Sequence, residues 1–145
     1  MQYWLITIAC GFLQVVQAMT NGSAARSNLG AIWTGAMSAT VSMASLFLVA
    51  VVIYRLPFPE ADLLRAYGPR VIAGGMMGGF IVAGLAFVAP RLGPTQTFML
   101  YFFVIAVAST LIDSFGLLGT EARPLAGRQL AGVAIAGLGL LLARS

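Results

Sequence analysis

The chain has 145 residues, of which 60% are hydrophobic and only 8% are charged. A soluble domain carries about 25% charged residues, so this chain cannot cover a surface with polar groups and is predicted to be an integral membrane protein. Its net charge of +4 comes from arginine alone, since lysine and histidine are absent. The arginines fall between apolar runs and form no basic stripe with interleaved aromatic residues, which argues against a nucleic-acid partner.

Five apolar runs approach or exceed the length of about 20 residues that a helix needs to cross the hydrocarbon. They predict five transmembrane helices over residues 2–20 (with an extension as far as 25), 30–54, 71–89, 95–115 and 128–143. All six prolines fall between these runs, as expected of residues that break helices. The chain is therefore predicted to be one all-α transmembrane domain over residues 1–145.

The longest connection, residues 55–70, contains "PEADLLRAYG" and predicts a brief amphipathic helix over about 58–68 at the membrane interface. The arginines divide five to three between the two predicted membrane faces, namely Arg55, Arg65, Arg70, Arg123 and Arg128 against Arg26, Arg91 and Arg144. Because arginine-rich loops stay in the cytoplasm, this count favours a cytoplasmic N-terminus. A difference of two is small, so insertion in both orientations stays open.

The first helix carries a stripe of amides. Gln14, Gln17 and Asn21 are three and four residues apart, which places them on one helical face. One backbone carbonyl cannot satisfy a side-chain amide, and polar groups in a membrane prefer a protein interior or a wet cavity to lipid. The stripe predicts either a solute-binding cavity or a hydrogen-bond network between helices.

Two further helices carry polar groups. Hydroxyls recur along the second helix at Thr34, Ser38, Ser42 and Ser45, and the fourth helix holds scattered polar residues that include Tyr101. Hydroxyls in membrane helices commonly bond the carbonyl one turn earlier or serve as small packing residues, so that stripe alone indicates no site. The residues predicted to line a shared cavity are Gln14, Gln17, Asn21, Trp33, Ser38 and Tyr101.

Glycines form faces on the third and fifth helices. "VIAGGMMGGFIVAG" contains two overlapping pairs, Gly74 with Gly78 and Gly75 with Gly79, and Gly132 lies seven residues before Gly139. Such faces let helix backbones approach closely. Gly132 and Gly139 are predicted to pack against a second subunit.

The chain lacks the residues of common catalytic and metal sites. Without histidine and with Cys10 as its one cysteine, it offers no nucleophile–histidine pair, no cysteine- or histidine-based metal site and no internal disulfide, and it has no phosphate-binding loop. No catalytic residue and no cofactor is predicted. Asp113 lies about 27 Å along its helix, hence near the interface, where it is expected to pair with Arg123 or Arg128. No titratable residue is predicted at the bilayer centre, where a proton-driven exchanger needs one.

The last third of the chain resembles a known family. Phe87 to Ala143, "FVAPRLG…LGLLLA", resembles the second half of a repeat from the drug/metabolite transporter superfamily. "DSFGLLG" followed by "RPL" is similar to the YdcZ-like branch of half-size, five-helix chains, whose first helix carries a Gln followed four residues later by Asn, here Gln17 and Asn21. The small multidrug resistance transporters are more distantly similar.

The chain departs from these families at three places. Val15 stands where a proline is usual, and Val104 with Ile105 stand where the family has a Gly-Gln pair. The membrane-embedded glutamate of the small multidrug resistance transporters is missing, so proton-for-cation exchange is not carried over.

The resemblance implies a bacterial inner-membrane transporter of a small organic solute, built as one repeat of an inverted-repeat fold. In such folds the site lies between the repeats near the midplane. A homodimer of oppositely inserted copies, or a paralogous partner chain, would complete it among the membrane lipids. The alternatives are a non-transporting helical scaffold and a lipid flippase.

Overall fold

The computed structural model describes residues 2–143, which form helices and no strand. The α-helices are α1 (Gln2–Ala25), α2 (Gly30–Leu48), α3 (Ala61–Leu92), α4 (Pro94–Phe115) and α5 (Gly127–Leu142). A π-helical turn, Val49–Ile53, continues α2, and a 3₁₀ turn, Leu117–Gly119, follows α4. The predicted all-α class is confirmed.

Four helices, α1 to α4, are long and apolar enough to cross a membrane. α5 is apolar but has 16 residues, which span about 24 Å at 1.5 Å per residue, less than the hydrocarbon thickness of about 30 Å. The structure thus agrees with five helices, of which four reach full spanning length. Arg144, counted in the arginine balance, lies outside the described residues.

α3 is a single helix of 32 residues, whereas the sequence predicts a short helix over 58–68 and a separate span over 71–89. Pro69 and Pro90 lie inside it, so the prediction that every proline falls between helices is wrong. Gly68 precedes Pro69 and offers no Cβ for the proline ring to meet, which removes the steric clash between a proline and the Cβ of the residue before it. Pro90 lies in the last turn, so the distortion that it causes is confined to the end of the helix.

The "DSFGLLG" segment ends α4 in a tight turn. Gly116 caps the helix in the left-handed conformation (φ 62°), and a Cβ there would lie 3.0 Å from the Cβ of Ala122. The backbone N–H of Arg123 donates to the carbonyl of Asp113 at 2.8 Å. Asp113 and Arg123, which were predicted to form an ion pair, therefore contact each other through main-chain atoms. The exposed Asp113 carboxylate forms no ion pair within residues 2–143.

The chain divides into two compact units, one reaching Arg91 and the other beginning at Leu92. In the first unit α1 packs on α2, and α3 approaches both at glycines. A Cβ on Gly22 would lie 3.1 Å from Cδ of Pro90, and one on Gly35 would lie 2.8 Å from the Cβ of Ala83. In the second unit α4 packs on α5.

Large apolar side chains are mostly exposed in both units. Phe80 is 86% and Trp4 is 77% exposed, while the described buried residues are mainly small ones such as Ala86 and Ala89. Small residues at helix contacts and large apolar residues outside are typical of helices that pack in lipid.

Candidate functional site

An open groove lies between α1 and α2, and we call it the amide groove. Its volume is about 470 Å³, within the range of small-molecule sites. It is lined by amides, hydroxyls and a few apolar groups: Gln17, Asn21, Ala24, Leu29, Thr34, Met37, Ser38, Val41 and Ser42. Three of the residues predicted for a cavity, Gln17, Asn21 and Ser38, are thus brought together.

A hydrogen bond joins the two walls of the amide groove. Nδ2 of Asn21 donates to Oγ of Ser38 at 3.0 Å, and both side chains are half-buried. The bond connects residues 17 positions apart and fixes α1 against α2 at this height. One of the predicted amides therefore serves as a bridge between helices.

The hydroxyl stripe on α2 serves mixed roles. Oγ1 of Thr34 donates to the carbonyl of Gly30 at 2.8 Å, and Oγ of Ser45 donates to the carbonyl of Val41 at 2.8 Å. These bonds to the preceding turn are the ordinary behaviour of helical hydroxyls. Ser38 and Ser42, by contrast, face the amide groove.

Gln17 supplies the side-chain amide that can bind a solute in the amide groove. It is half-buried on the groove wall, and its side chain has no hydrogen-bond partner among the described residues. A glutamine amide provides two N–H donors and a carbonyl acceptor. These groups can be satisfied by water or by a bound solute.

The remaining predicted site residues have different surroundings. Gln14 lines a shallow depression along α1 beside Gln17, with Cys10 and Leu13. Trp33 is 68% exposed and does not line the amide groove. Tyr101 belongs to the second unit, where its ring centroid lies 5.5 Å from that of Phe102.

The two glycines predicted for dimer packing differ in surroundings. A Cβ on Gly139 would lie 4.0 Å from Cε of Met99, so this half-buried glycine faces α4. Gly132 is exposed, with nothing within 4 Å of its Cβ position. The glycine that meets α4 most closely is Gly137, where a Cβ would lie 3.1 Å from the ring of Phe103.

Sequence reasoning missed the glycine that positions α2. Gly35 touches Ala83 of α3 through bare backbone. The spacing of Ala31, Gly35 and Ala39 places a small residue at every fourth position, a pattern typical of close helix packing. From this spacing the close contact at Gly35 could have been predicted.

The amide groove is electrically neutral, because no charged residue lines it. Within the described part of the chain no group of three metal-ligating His, Cys, Asp or Glu side chains occurs. Its chemistry is hydrogen bonding by amides and hydroxyls beside apolar contact from Leu29, Met37 and Val41.

A family model described as "Putative inner membrane exporter, YdcZ" matches residues 2–142. No curated protein and no solved structure matches the chain significantly.

Proposed function

The chain belongs to the YdcZ family of inner-membrane exporters, and from this premise we propose that it exports a small organic solute bound in the amide groove. It is a multi-pass transporter of the inner membrane. One observation carries the proposal of the site: Gln17 presents an amide without a partner among residues 2–143, beside the bond between Asn21 and Ser38.

The lining of the amide groove supports an uncharged or weakly polar solute. A buried charge needs a partner of opposite sign, and the lining offers none. Amides and hydroxyls suit a molecule with carbonyl, amide or hydroxyl groups, and Met37 beside Val41 suits a modest apolar portion.

Transport itself is tested on purified protein with a panel of neutral metabolites. A substrate is expected to raise the thermal unfolding temperature and to cross proteoliposomes only when the protein is present. Well-folded protein that gives neither response across the panel would favour the helical scaffold. Movement of a labelled phospholipid between leaflets, without solute flux, would favour a flippase.

The working form is proposed to be an antiparallel homodimer. The amide groove is open, and a transport site enclosed between two inverted repeats needs a second copy of a half-size chain. The arginines are divided almost evenly between the two predicted membrane faces, so the chain can insert in either orientation.

Reporters fused to the C-terminus test this orientation. A fluorescent protein that is active only inside and a phosphatase that is active only outside are both expected to give signal. A single active reporter at native expression levels would contradict the antiparallel arrangement and favour a paralogous partner.

Transport is expected to be independent of a proton gradient. No carboxylate or histidine lines the amide groove, so no groove side chain changes charge near neutral pH. In proteoliposomes with a clamped membrane potential, flux is expected to stay unchanged when the pH gradient is collapsed. Loss of flux would instead implicate Asp113, the carboxylate of α4.

A further inference from the structure

A second groove lies between α2 and α3, on a different face of α2 from the amide groove. Its volume is about 740 Å³ and its lining is apolar. We call it the apolar groove, and the residues that shape it are Ala31, Gly35 and Ala39 of α2 with Gly79, Gly84 and Phe87 of α3.

Small residues create the apolar groove. α2 and α3 touch at Gly35 and Ala83, and beside this contact Gly79 and Gly84 have nothing within 4 Å of their Cβ positions. The groove therefore has bare backbone on one wall and aromatic rings such as Phe87 at its edge. It offers no side-chain hydrogen bond to a polar solute.

The length of the apolar groove matches one membrane leaflet. It follows α3 from Met76 to Phe87, which is about 16 Å at 1.5 Å per residue. The hydrocarbon of a bilayer is about 30 Å thick, so each leaflet contributes about half of that. One acyl chain lying in the groove would cover this distance.

A cation stands at one end of the apolar groove. The guanidinium carbon of Arg91 lies 3.6 Å from the ring centroid of Phe87, and Nη1 donates to the carbonyl of Phe87. Arg91 is exposed and lies one residue before the end of α3. A guanidinium has five N–H donors, so most stay available to a ligand.

Arg26 lies at the same end of the first unit as Arg91. α1 meets α3 where Gly22 contacts Pro90, and Arg26 follows Gly22 by one helical turn while Arg91 directly follows Pro90. Arg26 is exposed in the connection that leads into α2. Both arginines thus belong to the end of the first unit where the apolar groove reaches Ala31 and Phe87.

We propose that the apolar groove binds an anionic phospholipid, with one acyl chain along α2 and α3 and the phosphate at Arg91 and Arg26. Guanidinium groups bind phosphate oxygens through paired, charge-assisted hydrogen bonds. Basic sites between membrane helices recognise anionic headgroups in this way. The site uses a separate face of α2, so it does not depend on solute binding in the amide groove.

The test compares an anionic with a zwitterionic lipid that has the same chains. Delipidated protein in neutral detergent is titrated with dioleoylphosphatidylglycerol or dioleoylphosphatidylcholine, and the unfolding temperature is measured. The anionic lipid is expected to raise it by about 5–10 °C more when its concentration is a hundred times Kd. Equal shifts for both lipids would overturn the proposal.

Two variants remove parts of the site, and each has a matched control on α3. Arg91→Gln removes the cation, and Gly84→Leu fills the groove. Arg70→Gln removes another arginine near a ring (5.9 Å from the centroid of Tyr67), and Gly74→Leu adds volume outside the groove at a glycine that is equally open. The preference for the anionic lipid is expected to fall sharply in the first pair and to persist unchanged in the second.

Other outcomes separate the rival explanations. A preference kept in Arg91→Gln, or lost equally in Arg70→Gln, would show diffuse charge attraction and overturn the site. A preference kept in folded Gly84→Leu would overturn the role of the groove, and Arg91→Gln decides alone if that variant does not fold. Glycerol phosphate giving the full effect would show that a free anion binds there and no lipid.

Discussion

Replacing Gln17 with leucine is expected to lower solute affinity about tenfold to a hundredfold while leaving the fold intact. Loss of a hydrogen bond that leaves a buried polar partner unsatisfied costs about 1–3 kcal/mol, and each 1.4 kcal/mol is a factor of ten. The Gln17 amide bonds no other described side chain, so its removal breaks no hydrogen bond between helices. Binding and thermal unfolding are measured on the same sample.

Gln14→Leu is the matched control for Gln17→Leu. It removes the same amide from the same helix, but Gln14 lines the depression beside the amide groove, so a smaller loss of affinity is expected. Equal losses in the two variants would mean that the whole amide stripe faces the solute. Full affinity in a stable Gln17→Leu protein would exclude Gln17 from the site.

Asn21→Ala is expected to lower stability as well as affinity. Its amide holds α1 to α2 through Ser38, and interhelical hydrogen bonds in membranes contribute about 0.6 kcal/mol on average and about 1.7 at most. Stability should fall by that amount, and affinity should fall as the groove loosens. The contrast with Gln17→Leu separates a bridging amide from a binding one.

The sequence predicts the helices of this fold well because lipid imposes a simple length rule. An apolar run of about 20 residues bounded by polar ones has few alternatives to a membrane helix. The rule fails at Pro69, which lies inside α3 directly after Gly68, where the proline ring meets no Cβ on the preceding residue. The long α3 follows from that local exception.

The candidate site was predictable only in part. The spacing of Gln17 and Asn21 places both on one face, but the choice of Ser38 as a partner depends on how α1 and α2 rotate against each other. Thr34 lines the amide groove, whereas its neighbour Trp33 is 68% exposed and does not. The role of Tyr101 in the same cavity stays a prediction.

The rotation of the first three helices is set by glycine contacts that polarity patterns do not reveal. Gly35 and Gly22 bring α3 against α2 and α1, and the amide groove and the apolar groove are what remains on either side of α2. A hydrophobicity pattern cannot distinguish a glycine that touches a neighbouring helix from Gly74, which touches nothing within 4 Å.

Gly35→Ala is therefore expected to destabilise the first unit by about 1–3 kcal/mol, the usual cost of overpacking. The added Cβ would lie 2.8 Å from the Cβ of Ala83, 3.0 Å from its Cα and 3.2 Å from its backbone N. Because two of these atoms are backbone, no rotamer change relieves the contact and α2 must move away from α3. The unfolding midpoint in increasing sodium dodecyl sulfate measures the loss.

Three further variants make the Gly35→Ala result specific. In Gly22→Ala the closest contact, with Cδ of Pro90, is 3.1 Å against 2.8 Å in Gly35→Ala, so a smaller destabilisation is expected. In Gly74→Ala the added Cβ meets nothing within 4 Å, so at least wild-type stability is expected. Adding Ala83→Gly to Gly35→Ala removes the closest atom but leaves the backbone contacts, so it should rescue part of the loss. If Gly35→Ala and Gly74→Ala proved equally stable, α2 and α3 would not be in contact at Gly35 in the membrane, and the apolar groove beside that contact would lose its physical basis.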